Sequence, residues 1–146
     1  MKNYQKGEIL KFLVSCAVLA PSSHNNQPWL FRINEDSIEI FPNFKRKLKE
    51  GDREGRMLFI SLGCAIANLK IAADHLCLNY EISGSPELVK IKFLNSIGNI
   101  CLANQDMFEA IEKRHANRNK YKDRPIADGI IRELESLNQE KNLKVT

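Results

Sequence analysis

Residues 20–29 read Ala20-Pro21-Ser22-Ser23-His24-Asn25-Asn26-Gln27-Pro28-Trp29. Polar residues fill the space between the two prolines, directly after a helical pattern and directly before a strand pattern. Proline fixes the backbone of such a turn, and serine and asparagine supply hydrogen bonds that adapt to a ligand. Polar loops carried on rigid elements often hold functional residues, so this stretch predicts a binding loop.

The segments on either side of this loop predict a helix and a β-hairpin. Apolar residues recur at three- and four-residue steps across Gly7–Ala20, which predicts a helix that Pro21 ends. Trp29–Asn34 and Ile38–Phe41 alternate around a polar turn and predict two paired strands. Trp29 is expected to anchor the core of this hairpin rather than to stack on a ligand.

A long apolar helix is predicted next, over about Arg53–Leu78, with Asp52 as its N-cap. The sequence is apolar nearly all round from Met57 to Ala73, so we expect this helix to be buried at the centre of the fold. Its histidine, His75, is expected to be structural. Small residues in the helix favour close packing by another helix: Gly63, Ala65, Ala67, Ala72 and Ala73.

The second half of the chain predicts further strands and two shorter helices. The strands are expected at Tyr80–Ser83, at Leu88–Leu94 and at Ile100–Ala103. A helix from Asp106 to about His115 should turn four residues inward: Met107, Phe108, Ala110 and Ile111. A last helix follows Pro125 and can be capped by Asp128. The fold class is therefore α+β, with a central buried helix packed on a mixed or antiparallel sheet.

Size and composition fit a globular chain. Of its 146 residues, 43% are hydrophobic and 27% are charged, which argues against global disorder. The net charge of +4 comes from mixed acidic and basic residues, so we expect no dedicated nucleic-acid surface. We also expect no membrane span, because charged and polar residues interrupt the longest apolar run, and no signal peptide.

The cysteines and histidines do not predict a metal site. The four cysteines are far apart and stand among apolar neighbours, so we expect buried thiols in a reducing cytoplasm. A zinc site would need close pairs of cysteine or histidine, and the sequence has none.

A basic segment near the C-terminus is the second candidate site. It reads Arg114-His115-Ala116-Asn117-Arg118-Asn119-Lys120-Tyr121. Arg114 and Arg118 are four residues apart, so both could project from one side of a helical turn and hold a phosphate. A solvated basic helix end explains the same spacing, and spacing alone leaves that interpretation ahead.

Two common enzyme classes fit poorly. The sequence has no Gly-x-Ser-x-Gly nucleophile turn, and Ser22 and Ser23 lie between a helix and a strand in the wrong order for one. No Gly-x-Gly-x-x-Gly follows a strand, so a Rossmann nucleotide site is not expected. His24 could donate a proton, but an exposed or capping histidine is the favoured interpretation.

The loop resembles the Pro-Ser-Ser-x-Asn-x-Gln-Pro-Trp stretch of the nitroreductase family of flavin mononucleotide (FMN) enzymes. The resemblance implies that loop residues lie against the flavin: Pro21, Ser22, Ser23, Asn25 and Gln27. The basic segment resembles the family's phosphate-binding segment, which implies that Arg114, His115 and Arg118 hold the FMN phosphate. Ala116 replaces a usual serine there, so one hydroxyl donor is missing.

The order of the two motifs resembles the two-lobed Acg-type branch of that family. In ordinary nitroreductases the basic segment comes first, whereas here the loop comes first. The stretches Gly51–Arg56 and Ser61–Leu69 also resemble this branch. We therefore expect residues 1–104 to form a first nitroreductase-like lobe and residues 105–146 to begin a second, truncated lobe. Such a chain would be a fragment or would complete its site by forming a homodimer.

The function implied is FMN-dependent oxidoreduction, with electrons passing from NAD(P)H through the flavin to a nitroaromatic or quinone-like acceptor. In this family no side chain is strictly needed as an acid or base, so no catalytic residue is assigned. Two alternatives stay open. One is a flavin-binding or flavin-sequestering protein without turnover. The other is an inactive remnant that exposes the apolar face of its central helix.

Overall fold

The computed structural model describes residues 6–94 and 103–137, and these residues form an α+β fold. The prediction of an α+β fold is therefore confirmed. The helices are α1 (Lys6–Ala17), α2 (Arg56–His75), α3 (Gln105–Lys113) and α4 (Asp128–Leu137). The strands are β1 (Trp29–Ile33), β2 (Ser37–Pro42), β3 (Tyr80–Ser85) and β4 (Leu88–Phe93).

The four strands form one sheet in the order β1-β2-β4-β3, and every neighbouring pair is antiparallel. Both hairpins appear where the alternation of apolar residues predicted them. In the first, Trp29 pairs with Pro42 and Ile33 with Ile38. In the second, Tyr80 pairs with Phe93 and Ser85 with Leu88. The strand predicted at Ile100–Ala103 lies mostly outside the described residues.

Helices α1 and α2 pack against each other and α2 packs on the sheet, which creates the main core. Leu10 and Leu13 of α1, Ile38 and Ile40 of β2, and Leu69 of α2 are fully buried in it. A smaller cluster around Trp29 joins β1 to the first half of α2. Trp29 is 7% exposed, so its predicted role as a core anchor is confirmed.

The N-terminal end of α2 is held by Asp52, although the helix begins at Arg56 rather than Arg53. Its carboxylate accepts hydrogen bonds of 2.9 Å from the backbone N–H groups of Met57 and Leu58. These N–H groups have no acceptor within the helix, so the buried carboxylate provides one. Its negative charge also interacts favourably with the positive end of the helix dipole.

The expectation that α2 is buried at the centre of the fold holds for only one of its faces. One face packs inward, while Met57 and Ile60 on the outward face are 44% and 51% exposed. By length and composition alone α2 is also apolar enough to cross a membrane, a test that the core helices of soluble proteins pass as well. Its inward face, however, packs on the sheet and on α1, as the core helix of a globular fold does.

The contacts of α3 correct its predicted inward face. Ile111 is buried and Phe108 is half-buried, but Met107 is 57% exposed and Ala110 is also exposed. The ring of Phe108 stacks on His75 with centroids 4.1 Å apart. His75 is 4% exposed and its Nδ1–H donates to the Ala103 carbonyl, so the prediction of a structural histidine agrees with its position.

The cysteines differ from the expectation of four buried thiols. Cys16 is a buried free thiol, and burial raises its pKa. Cys64 is a half-buried free thiol. Cys77 is exposed and disulfide-bonded, so the prediction is wrong for this residue.

The chain divides into two compact units, Met1–Ala116 and Asn117–Thr146. The first unit contains the sheet, α1, α2 and α3. The second contains α4, on which Ile130 is 53% exposed and Leu134 is 48% exposed. The predicted division into lobes at residues 104 and 105 refers to a longer two-lobed protein, and it stays a prediction.

Candidate functional site

The polar loop between α1 and β1 adopts an unusual backbone conformation. Ser23–Asn25 form a single 3₁₀ turn. His24, Asn25 and Gln27 have φ angles of 52°, 55° and 47°, which lie in the left-handed region. Asparagine and histidine enter that region more readily than glutamine does, and non-glycine residues held there cluster at ligand sites. The loop is therefore fixed in a conformation that its surroundings must stabilise.

Hydrogen bonds inside the loop supply part of that stabilisation. The hydroxyl oxygen of Ser22 accepts from the Gln27 backbone N–H at 3.0 Å. The Asn25 N–H donates to the Ser22 carbonyl at 2.9 Å, and the Asn26 N–H donates to the Ser23 carbonyl at 3.0 Å. Because the Ser22 oxygen only accepts here, its hydroxyl proton remains available to donate.

Contacts from the segment after β2 brace the loop from outside. The Asn26 Nδ2 donates to the Arg46 carbonyl at 2.8 Å, and the Arg46 Nη1 donates to the Asn26 carbonyl at 3.4 Å. The Asn43 N–H donates to the Pro28 carbonyl at 2.9 Å. The sequence alone predicted no role for Asn26 or Arg46. Two local signals existed, an asparagine inside the loop and a basic run at Lys45–Lys47, but neither shows that the two segments meet.

Several polar groups of the loop are left for a ligand. Within residues 6–94 and 103–137, no hydrogen bond reaches the side chains of Ser23, His24 or Asn25 from another residue. Ser22 and Ser23 are half-buried, whereas His24 and Asn25 are exposed. In the same part of the chain the buried Asn26 Oδ1 has no donor. The loop thus presents hydroxyl and amide groups at the surface of a rigid frame.

Arg114 joins the basic segment to this loop. Its Nη2 donates to the carbonyl of Leu19, two residues before Pro21, at 3.3 Å. The contact spans 95 positions of the chain and lies within the first unit. It brings one residue of the predicted phosphate-binding segment to the entrance of the predicted flavin loop.

The expectation that Arg114 and Arg118 share a helical turn is wrong. Helix α3 ends at Lys113, and Arg114 has extended backbone angles of φ −64° and ψ 127°. The Nδ1–H of His115 donates to the Lys113 carbonyl, and the Asn117 side chain accepts from the Asn119 N–H. The Asn117 side chain thereby gives the backbone beyond Lys113 an alternative to helical hydrogen bonds.

The predicted site residues are therefore only partly brought together. The first unit contains Pro21, Ser22, Ser23, Asn25, Gln27, Arg114 and His115. His115 is exposed. Arg118 belongs to the second unit, so its role beside Arg114 stays a prediction. Across the described ranges no group of three potential metal ligands lies close enough to hold an ion.

Comparison with known proteins agrees with the resemblance drawn from the loop. The chain is 29% identical over 133 residues to "Putative NAD(P)H nitroreductase Rv3131" of Mycobacterium tuberculosis, covering 88% of this chain and 39% of that protein. It is 30% identical over 120 residues to "Uncharacterized protein Rv3127" of the same organism, covering 75% of this chain and 35% of that protein.

A shorter match involves "Putative NAD(P)H nitroreductase acg" of the same organism, which is 29% identical over 65 residues, 44% of this chain and 20% of that protein. No protein-family profile matches the chain. The chain spans about two fifths of the length of the curated relatives it matches first. The resemblance to nitroreductases is confirmed, and the Acg-type branch agrees with these relatives.

Proposed function

We propose, from this confirmed resemblance, that the chain binds FMN and takes part in NAD(P)H-dependent oxidoreduction of nitroreductase type. Electrons would pass to a small acceptor such as a nitroaromatic compound or a quinone, in the cytoplasm. The names of the relatives support the oxidoreductase class and a nicotinamide donor. FMN and the acceptors are our own inference from the resemblance and from the chemistry of the loop.

The observation that carries this proposal is the contact between Arg114 and Leu19. It places a guanidinium, whose forked donors suit phosphate oxygens, beside a loop of free hydroxyl and amide groups. FMN carries the matching groups, because its phosphate is joined to a hydroxylated chain and then to a ring with polar edges. If the basic segment were only a solvated helix end, Arg114 would not need this contact with the chain beside the loop.

The residues present fit this cofactor. The Ser22 hydroxyl proton is free to donate, and the Ser23 and Asn25 side chains have no partner in the described part of the chain. Arg114 uses one long hydrogen bond and keeps its other donors. These residues would bind and orient the cofactor, and Arg118 stays a proposed phosphate ligand on the basis of its sequence motif alone. The chemistry that bound FMN supplies is two-electron transfer from nicotinamide to the acceptor.

We further propose that a second copy of the chain, or the remainder of a longer protein, completes the site. The chain spans about two fifths of its relatives, and the notable motifs follow the order of the two-lobed branch. A bound flavin would need a cover on the side away from the loop in order to exclude water. A homodimer could supply that cover from its partner.

The proposal is tested by purifying the chain and measuring its visible absorbance, with any released cofactor identified by mass. Bound FMN, at about one per chain or one per dimer, is the expected result. A colourless protein that also ignores added FMN would contradict the proposal. An assay of NADH and NADPH oxidation with a quinone acceptor then separates an enzyme from a flavin-sequestering protein, which would bind FMN tightly without turnover.

A further inference from the structure

Two arginines lie at opposite ends of the polar loop. Arg114 donates to the Leu19 carbonyl, just before the loop, and Arg46 donates to the Asn26 carbonyl, near its end. Of these two arginines, only Arg114 belongs to the segment that was predicted to bind phosphate. FMN has a single phosphate, so the second guanidinium is unexplained by the proposed function alone.

Arg46 is available to a ligand. It is exposed, and the only hydrogen bond of its side chain within residues 6–94 and 103–137 is the 3.4 Å contact with the Asn26 carbonyl. A bond of that length is weak, and the guanidinium keeps further N–H donors. Its backbone, by contrast, is fixed, because the Arg46 carbonyl accepts from Asn26 Nδ2 and the Arg46 N–H donates to the Asn43 carbonyl at 2.9 Å. The backbone of Arg46 is therefore held in a fixed position beside the loop, and the side chain extends from there.

The neighbouring charges leave the positive charge of Arg46 uncompensated. Asp52 is buried and committed to the end of α2, and Glu50 lies 3.7 Å from Arg53. The Lys47 ammonium donates to the Arg53 carbonyl and therefore already has a hydrogen-bond partner outside the loop. No carboxylate of the described residues forms an ion pair with Arg46, so its positive charge beside the loop attracts anions.

We propose that Arg46 is a phosphate-binding residue at the end of the loop opposite Arg114. This inference rests on the proposed function and deepens it, because both reaction partners carry phosphate. The phosphate bound at Arg46 is that of FMN or that of the nicotinamide nucleotide. A guanidinium beside hydroxyl and amide donors recognises either one through charge-assisted hydrogen bonds.

The test compares Arg46→Gln with wild type and with Arg53→Gln, which removes the same charge from the same segment without touching the loop. FMN and riboflavin are titrated separately, since they differ only in the phosphate, and NAD⁺ is titrated by calorimetry. An FMN affinity about tenfold weaker with unchanged riboflavin affinity, the scale of one charge-assisted hydrogen bond, would identify the flavin phosphate. A loss of that size for NAD⁺ with both flavins unchanged would identify the nicotinamide nucleotide.

The proposal is overturned if Arg46→Gln changes none of these affinities, or if Arg53→Gln changes them equally. Should wild type bind neither flavin, the proposed function fails by itself, and inorganic pyrophosphate then tests Arg46. A pyrophosphate-induced rise in Tm that disappears in Arg46→Gln, but not in Arg53→Gln, would support the anion site. A rise that is absent in wild type, or equal in the variants, would overturn it.

Discussion

Arg114 leaves the helical conformation at the end of α3, and its guanidinium contacts a carbonyl 95 positions earlier in the chain. We expect Arg114→Ala to weaken FMN binding by at least ~1.5 kcal/mol, the scale of a hydrogen bond to a charged group. Arg118→Ala should have an effect of similar size if the second unit contributes to the phosphate. Fluorescence titration with FMN measures both changes.

Lys113→Ala is the matched control for these variants. Lys113 is the neighbouring cation, but its ammonium pairs with Glu109 on the surface of α3 rather than with the loop. Its removal should leave the FMN affinity unchanged. Wild-type affinity in both Arg114→Ala and Arg118→Ala would contradict the assignment of the phosphate site.

Tyr80 provides a residue with a defined dependence on pH. Burial, together with the hydrogen bond from its hydroxyl to the Asp74 carboxylate and the charge of that carboxylate, raises its pKa from 10.0 to about 12. Between these values the unfolded chain loses the phenol proton while the folded chain keeps it. Stability is therefore expected to fall as the pH rises through that window.

The measurement is a titration of phenolate absorbance in wild type, Tyr80→Phe and Asp74→Asn. Subtracting the Tyr80→Phe curve should reveal one tyrosine that titrates near pH 12, and Asp74→Asn should move it toward 10.0. If Tyr80→Phe instead removes a phenol that titrates near pH 10.0, the pKa of Tyr80 is not raised.

Site residues differ in how far the sequence could predict them. The loop was found because its prolines, serines and asparagines act locally, within a few positions of one another. The contact between Asn26 and Arg46 joins residues 20 positions apart through the packing of two connections. No spacing rule describes such a contact, and so Arg46 was missed although its basic neighbours were visible.

At the scale of elements, local patterns predicted the hairpins well and the faces of helices less well. Strand alternation and turn residues determine a hairpin locally. Each boundary of β1 and of β2 lies within one residue of its predicted position. The inward face of a helix depends on what packs against it. Met107 lies outward because α3 contacts α2 through Phe108 and Ile111. The prediction of Asp52 as the N-cap is wrong, because Gly55 takes that position in the left-handed region at φ 78°. The Asp52 carboxylate still accepts from the N–H groups of Met57 and Leu58 at the start of α2.

The β3–β4 hairpin depends on Gly84. Its φ is +119°, and a Cβ there would lie 2.0 Å from the Leu88 carbonyl oxygen. Gly84→Ala is therefore expected to lower the free energy of unfolding by at least ~2 kcal/mol, through backbone strain and displacement of the paired strand. Urea unfolding monitored by Trp29 fluorescence measures the change.

Gly63→Ala is the matched control for this substitution. Gly63 lies within α2, and an added Cβ would meet nothing within 4 Å. Alanine favours the helical state there, so a gain of roughly 0.5–1 kcal/mol is expected. Equal effects of the two substitutions would show that the left-handed φ of Gly84 does not constrain the hairpin.

At the scale of the whole molecule, the outward face of α2 is an apolar feature that the first unit leaves exposed. Met57 and Ile60 lie on it, and a groove of about 410 Å³ follows farther along the helix, between Gly63 and Asp74. Exposed apolar faces of this kind mark association surfaces in globular proteins. A homodimer through this face is one way in which the proposed flavin site could gain the cover that we propose for it.

We therefore expect the purified chain to form a homodimer through this face, and Ile60→Lys to weaken it by placing a charge in an apolar contact. Sedimentation equilibrium gives the dimer dissociation constant, which should rise at least ~10-fold, the factor that corresponds to about 1.4 kcal/mol. Leu30→Lys is the matched control. Leu30 is 52% exposed, against 51% for Ile60, but Leu30 lies on the sheet. A monomeric wild type, or an equal effect of both variants, would exclude this face as the dimer contact. FMN binding that disappears together with the dimer in Ile60→Lys would further show that the partner chain completes the flavin site.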